Sequence, residues 1–119
     1  RVQPFCHGLR SPNCFGSYGP NGDIFMGDNQ GNWIGACTLT HVQRGRFYGF
    51  PSTYPAPKED YAGKKDGKFA QPAVWFPYKM AKSVSGMVTV PDDRFGPFAG
   101  QIMIGDFQNA VVMRVTLEK

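Results

Sequence analysis

Leucine is almost missing from this 119-residue chain: Leu9, Leu39 and Leu117 are its only three. Helical bundles need long Leu/Ala/Glu/Lys runs free of glycine and proline. Here 15 Gly and 10 Pro cut the chain into short pieces, which excludes that class. No apolar run approaches the roughly 18 residues of a membrane helix, so no membrane span is expected. Cysteine is scarce: Cys6, Cys14 and Cys37 form no CxxC pair, and His7 and His41 do not stand at zinc-finger spacing, so a structural zinc site is not expected. Cys6–Cys14 and Cys14–Cys37 are the open pairings for a disulfide in an exported protein, and an odd count leaves at least one free thiol. Charge of one sign is not concentrated either. The net charge is +4, and the densest cluster, Lys58-Glu59-Asp60 with Lys64-Lys65-Asp66-Gly67-Lys68, mixes both signs. It reads as a solvated loop, and no nucleic-acid partner is expected. A GxSxG elbow, a phosphate-binding glycine motif and a Ser-His-Asp order are all lacking, which argues against hydrolase chemistry.

What is present points to β-structure. Hydrophobic residues make up 41% of the chain, too many for disorder, with aromatics well represented. The apolar runs are short and bounded by turn residues: 2–6, 13–18, 23–27, 37–43, 46–50, 73–78, 86–90, 101–107 and 110–117, the last being the longest. Gly19-Pro20-Asn21-Gly22 is a hairpin signal. Residues 28–35 form a polar, glycine-rich loop around Trp33, and 92–100 read as a turn. The stretch 51–72 is a long connection, of the kind that covers a surface or a site.

A weak internal repeat organises these runs. Gly22-Asp23-Ile24-Phe25-Met26-Gly27-Asp28 and Gly100-Gln101-Ile102-Met103-Ile104-Gly105-Asp106 share the pattern Gly-polar-Ile-apolar-apolar-Gly-Asp, 78 residues apart. Repetition of one antiparallel unit is what a β-propeller shows, and a small β-sandwich is the alternative. The expected architecture is all-β, about two four-stranded blades. The first covers about 1–57 with a long loop at 51–72, and the second covers about 73–119.

The order of motifs resembles the quinoprotein glucose/sorbosone dehydrogenase family of six-bladed β-propellers. The resemblance runs through His7-Gly8-Leu9-Arg10-Ser11-Pro12-Asn13, the Gly19–Gly22 turn, the Gly27-Asp28-Asn29-Gln30-Gly31 loop and Arg44-Gly45-Arg46-Phe47-Tyr48-Gly49-Phe50-Pro51, and covers most of residues 4–118. It implies a sugar or alcohol dehydrogenase that passes a hydride to pyrroloquinoline quinone beside a calcium ion. A cytochrome c acceptor and a periplasmic or extracellular setting go with it. It also implies that the chain is a segment, completed by the remaining blades of a parent propeller or by other copies of itself, with the family's catalytic His outside these residues.

Residue by residue, the resemblance places Arg10 and Ser11 at the family's Arg-Asn pair, which contacts the quinone carboxylates. Arginine is the side chain suited to a bidentate carboxylate grip, whereas Ser11 offers only a hydroxyl. Gln108 stands where the family has a quinone-contacting Lys, and Trp75 where an aromatic lines the pocket floor. Gln30 and Gly31 fall in the loop whose backbone carbonyls hold calcium in the family. The Asn-to-Ser and Lys-to-Gln departures favour a second reading, a scaffold propeller without catalysis. A third is a carbohydrate-binding β-domain, with Trp33, Phe47 and Tyr48 stacking on sugar rings. Read from the residues alone, the 28–31 loop is an Asx-stabilised turn and Trp75 a core residue. Asp106 either pairs with Arg114 or caps a turn. His7 is placed to face a pocket mouth, and His41 lies in an alternating strand.

Overall fold

The computed structural model describes residues 1–31, 34–50 and 69–118. Trp33, the charged cluster and most of the 51–72 connection lie outside the described residues. Among these residues seven strands follow in order: β1 (Pro12–Tyr18), β2 (Asp23–Asp28), β3 (Cys37–His41), β4 (Val74–Phe76), β5 (Val84–Thr89), β6 (Ile102–Asp106) and β7 (Val111–Val115), with a 3-10 turn at Asp93–Phe95. They form two antiparallel sheets, β1-β2-β3-β4 and β5-β6-β7. The described residues are all-β, a β-propeller segment of two neighbouring blades.

The blades meet at their first strands. The Asn13 side-chain amide donates to the Val84 carbonyl at 2.9 Å, and the Thr89 hydroxyl donates to the Ser17 carbonyl at 2.6 Å, so β1 and β5 run side by side in the same direction. The repeat is therefore real: β1–β2 and β5–β6 are the same hairpin, used twice. The hairpin turn at Gly19–Gly22 closes through the Gly22 N–H on the Gly19 carbonyl at 3.1 Å, with both glycines at positive φ.

Alternation along the strands builds one core between the sheets. Leu39, Val84, Ile102 and Ile104 are fully buried there, joined by Cys14, Phe25, Cys37, Phe76 and Val115. Each large aliphatic so buried contributes about 1.5–3 kcal/mol. Gly27 is the point of closest approach. A Cβ on it would stand 2.6 Å from Cys14 Sγ and 3.0 Å from Val84 Cγ2.

Several strand expectations shift. Val74–Phe76 closes the first sheet, pairing Leu39 with Val74, Thr38 with Trp75 and Cys37 with Phe76. The division between the sheets therefore falls between β4 and β5 and not at residue 73. The second sheet has three strands and not four, since residues 116–118 join no ladder. Residues 2–6 and 46–50 form no strands. They clip together through one parallel bridge, His7–Phe47, with the Tyr48 N–H on the His7 carbonyl and the Phe50 N–H on the Gly8 carbonyl. Gly8, Gly45 and Gly49, all at positive φ, interrupt extension there. The longest strand is β1, with seven residues; β7 has five. All three cysteines are free thiols, Cys14 and Cys37 buried. Among the described residues no helix is long and apolar enough to cross a membrane.

Candidate functional site

The hairpin repeat brings Arg10, Ser11 and the 28–31 loop to one end of the first sheet. Asp28 ends β2, and its buried carboxylate accepts the backbone N–H groups of Arg10 at 2.9 Å and Ser11 at 2.6 Å. The Asn29 N–H reaches back to the Ser11 carbonyl at 3.3 Å. Burial pushes the Asp28 carboxyl above its ordinary range. The N–H groups of Arg10, Ser11 and Asn29 and the Arg10 charge pull the other way without cancelling it.

Above this clamp lies the Arg10 side chain. Its Nη1 donates to the Gln30 carbonyl at 2.6 Å. The chain packs flat on Gly31, where a Cβ would collide with Arg10 Nε, Cδ and Cζ. Gly31 is thus required for the close approach of a side chain and not for a turn. The Gly31 N–H donates to the Ile34 carbonyl at 2.9 Å. Arg10 is otherwise exposed. A guanidinium has five N–H donors, so an outward edge remains for an anion.

The second sheet carries the same device. Asp106 ends β6 and accepts the N–H groups of Lys82 at 2.8 Å, Ser83 at 2.6 Å and Asn109 at 2.8 Å. Burial works to raise its pKa. The donors Ser83, Asn109 and Lys82, with the Lys82 charge, outweigh burial and hold the carboxyl below its ordinary range. Asp106 is therefore a turn cap, and Arg114 lies over the Phe98 ring, 5.5 Å from its centroid. Gln108 is exposed in the β6–β7 turn, at the place Gln30 holds in the first sheet.

Trp75 stands apart from Arg10. It lies on β4, three strands from β1, or about 14 Å at the usual strand spacing. It is 40% exposed and not a core residue. Its row across the sheet continues through Thr38 to Asp28, and with Leu9, Ile34 and Tyr48 these side chains line a shallow cleft. Tyr48 is buried. Its hydroxyl donates to the His41 carbonyl at 2.7 Å and accepts from the Gln43 N–H at 2.7 Å, pinning the 46–50 segment onto the sheet. Phe47 is half-buried beside His7. His41 stacks on Phe25 with ring centroids 5.0 Å apart, at the far end of β3 from Thr38.

The structure thus gathers Arg10, Ser11, Gln30 and Gly31, leaves Gln108 in the other sheet, and places Trp75 on the outer strand at the cleft that Asp28 and Leu9 also line. The paired role of Asp28 and Asp106 as strand-end clamps was not read from the sequence. Its signal is a Ser two or fewer residues ahead of each first strand, Ser11 and Ser83, matched to the repeated Gly-Asp.

These residues fit the two implied groups differently. Arg10, with an exposed edge of donors, suits a quinone carboxylate. Calcium needs six to eight oxygen ligands. The Gln30 carbonyl is already bonded to a cationic group, and no cluster of three or more His, Cys, Asp or Glu able to hold a metal occurs among the described residues. Gln30 and Gly31 in this arrangement do not suit a calcium ion.

The fold is that of solved sugar dehydrogenases. The chain matches a glucose dehydrogenase over 96% of its length with a TM-score of 0.73 and 24% identity. It matches the apo-form of the soluble aldose sugar dehydrogenase of Escherichia coli over 99%, with a TM-score of 0.73 and 18% identity. A second glucose dehydrogenase structure is matched over 100%, with a TM-score of 0.75 and 22% identity. The chain spans about a third of those proteins, 32%, 35% and 35% respectively. No family model matches the chain, and no curated protein sequence matches it significantly.

Proposed function

We propose that this chain is a two-blade segment of a sugar dehydrogenase-like propeller, and that the complete protein oxidises a sugar or alcohol by hydride transfer to pyrroloquinoline quinone. The observation that carries the reading is Arg10: an exposed guanidinium, fixed in direction by Gln30 and Gly31, at the loop end of a blade. The shared fold with two glucose dehydrogenases and an aldose sugar dehydrogenase supports the substrate class.

In this reading Arg10 binds and orients one carboxylate of the quinone, and the clamp at Asp28 keeps the Arg10 backbone still. The bound quinone supplies the electron sink for the hydride. The base that takes the hydroxyl proton comes from sequence outside these residues. The remaining blades, or other copies of the chain, cover the outer sheet faces where Phe15, Val88 and Val112 are exposed. A cytochrome c acceptor and a periplasmic or extracellular location complete the proposal.

The test is quinone-dependent dye reduction with aldoses by the complete protein. Activity that falls at least about tenfold in Arg10→Met, with quinone affinity falling in parallel, supports the reading. A folded complete protein that neither binds quinone nor reduces dye overturns it. A scaffold that has kept the blades without the chemistry is the second reading, favoured by Ser11 and Gln108, which stand where the resembled family has Asn and Lys.

A further inference from the structure

We propose that the Arg10 guanidinium is the resident cation of the 28–31 loop, standing at the Gln30 carbonyl in the place of a divalent metal. Three independent contacts argue for it. Arg10 Nη1 lies 2.6 Å from the Gln30 carbonyl oxygen, the short distance of a charge-assisted hydrogen bond. The glycine at position 31 leaves room for the Arg10 stem, and any larger residue would displace it. The Arg10 backbone is anchored separately, through its N–H on Asp28 at 2.9 Å. Side chain and main chain of one residue are thus tied to opposite ends of the same loop.

Two N–H groups of the loop and its one carboxylate are committed within the fold. The Asn29 N–H is on Ser11 and the Gly31 N–H on Ile34. The Asp28 carboxylate holds the segment ahead of β1. A hard divalent ion placed against the Gln30 oxygen would sit beside the guanidinium as a like charge. In this proposal the loop is built without metal, and the guanidinium supplies its positive charge. The same arrangement is absent from the second sheet, where the residue before the Asp106-clamped serine is Lys82 and its ammonium lies over the Tyr78 ring, 5.1 Å from the centroid.

This inference is independent of the quinone reading and is tested with metal alone. The full chain is titrated with calcium chloride by calorimetry, and melted in EDTA and in excess calcium. No saturable heat and no change in melting temperature are expected. Hydrogen exchange then reads the loop directly. In Arg10→Met, which keeps the stem and removes the charge, the Asn29 and Gly31 amides should exchange about tenfold faster, while Arg10→Lys keeps most of their protection. Should Arg10→Met not fold, Gly31→Ala displaces the guanidinium from the other side and should raise the same exchange rates. Single-site calcium binding by the wild-type chain overturns the proposal. So does loop exchange unchanged in the variants that fold.

Discussion

Asp28 and Asp106 hold equivalent places in the two sheets. Each ends the second strand of its hairpin, and each accepts the N–H groups of the two residues that lead into the first strand, with the serine donor 2.6 Å away in both. A blade end is closed by a carboxylate and not by a further strand. Each carboxylate thereby satisfies the backbone donors of the segment that leads into the first strand of its sheet.

The pKa values of the two carboxyls are shifted in opposite directions, Asp28 up and Asp106 down, and Asp106 gives the clearer pH prediction. Its folded pKa lies below the ordinary 3.8, so its contribution to stability is complete above that value and is lost as pH falls through the folded pKa. Melting temperature measured downward from pH 5 should fall in the wild type, and Asp106→Asn should flatten part of that fall. Identical acid limbs in the two would show that Asp106 is not a stabilising anion. Asp106→Ala, which leaves three backbone donors unpaired, should cost roughly 3 kcal/mol at neutral pH.

Gly27→Ala tests the closeness of the sheets. The new methyl meets Cys14 Sγ and Val84 Cγ2 at the centre of the core. A loss of about 1–3 kcal/mol in denaturant unfolding is expected. The larger glycine-to-alanine tolerance of an open position, such as Gly35, where nothing lies within 4 Å, is the control.

Tyr48→Phe removes one hydroxyl that serves both the His41 carbonyl and the Gln43 N–H. Both partners then lose a bond in a half-buried place. The expected cost is about 1–2 kcal/mol, with faster proteolysis within 43–50 before global unfolding.

Asn13→Ala cuts the link from β1 to the Val84 carbonyl. It should lower stability by about 1 kcal/mol, and the loss should be less than additive with Thr89→Val, because both act on the β1–β5 seam. Full additivity would mean that the two bonds do not share one interface.

Much of this architecture was legible in the sequence. The alternation in β2 and β6, the Gly19–Gly22 turn and the paired Gly-Asp ends are local features, and local features are what a sequence displays. The partnership of β4 with β3 was not legible. The 51–72 connection separates them, and nothing in Val74–Phe76 itself says which sheet it completes. Residues 2–6 and 46–50 have strand-like composition, but Gly8, Gly45 and Gly49 beside and within them hold positive φ, and the two stretches pair through a single bridge at His7–Phe47. At the candidate site, Arg10 was singled out from its motif. What it touches was not, because the Arg10–Gln30 contact spans 20 residues and depends on Gly31 having no side chain.

The most direct test of the account is quinone binding by the complete protein, followed by quenching of its tryptophan fluorescence, for wild type and Arg10→Met side by side. The account predicts saturable binding that weakens at least about tenfold in the variant, with far-UV spectra unchanged. Equal binding by both proteins, or no binding by a folded wild type, would contradict it.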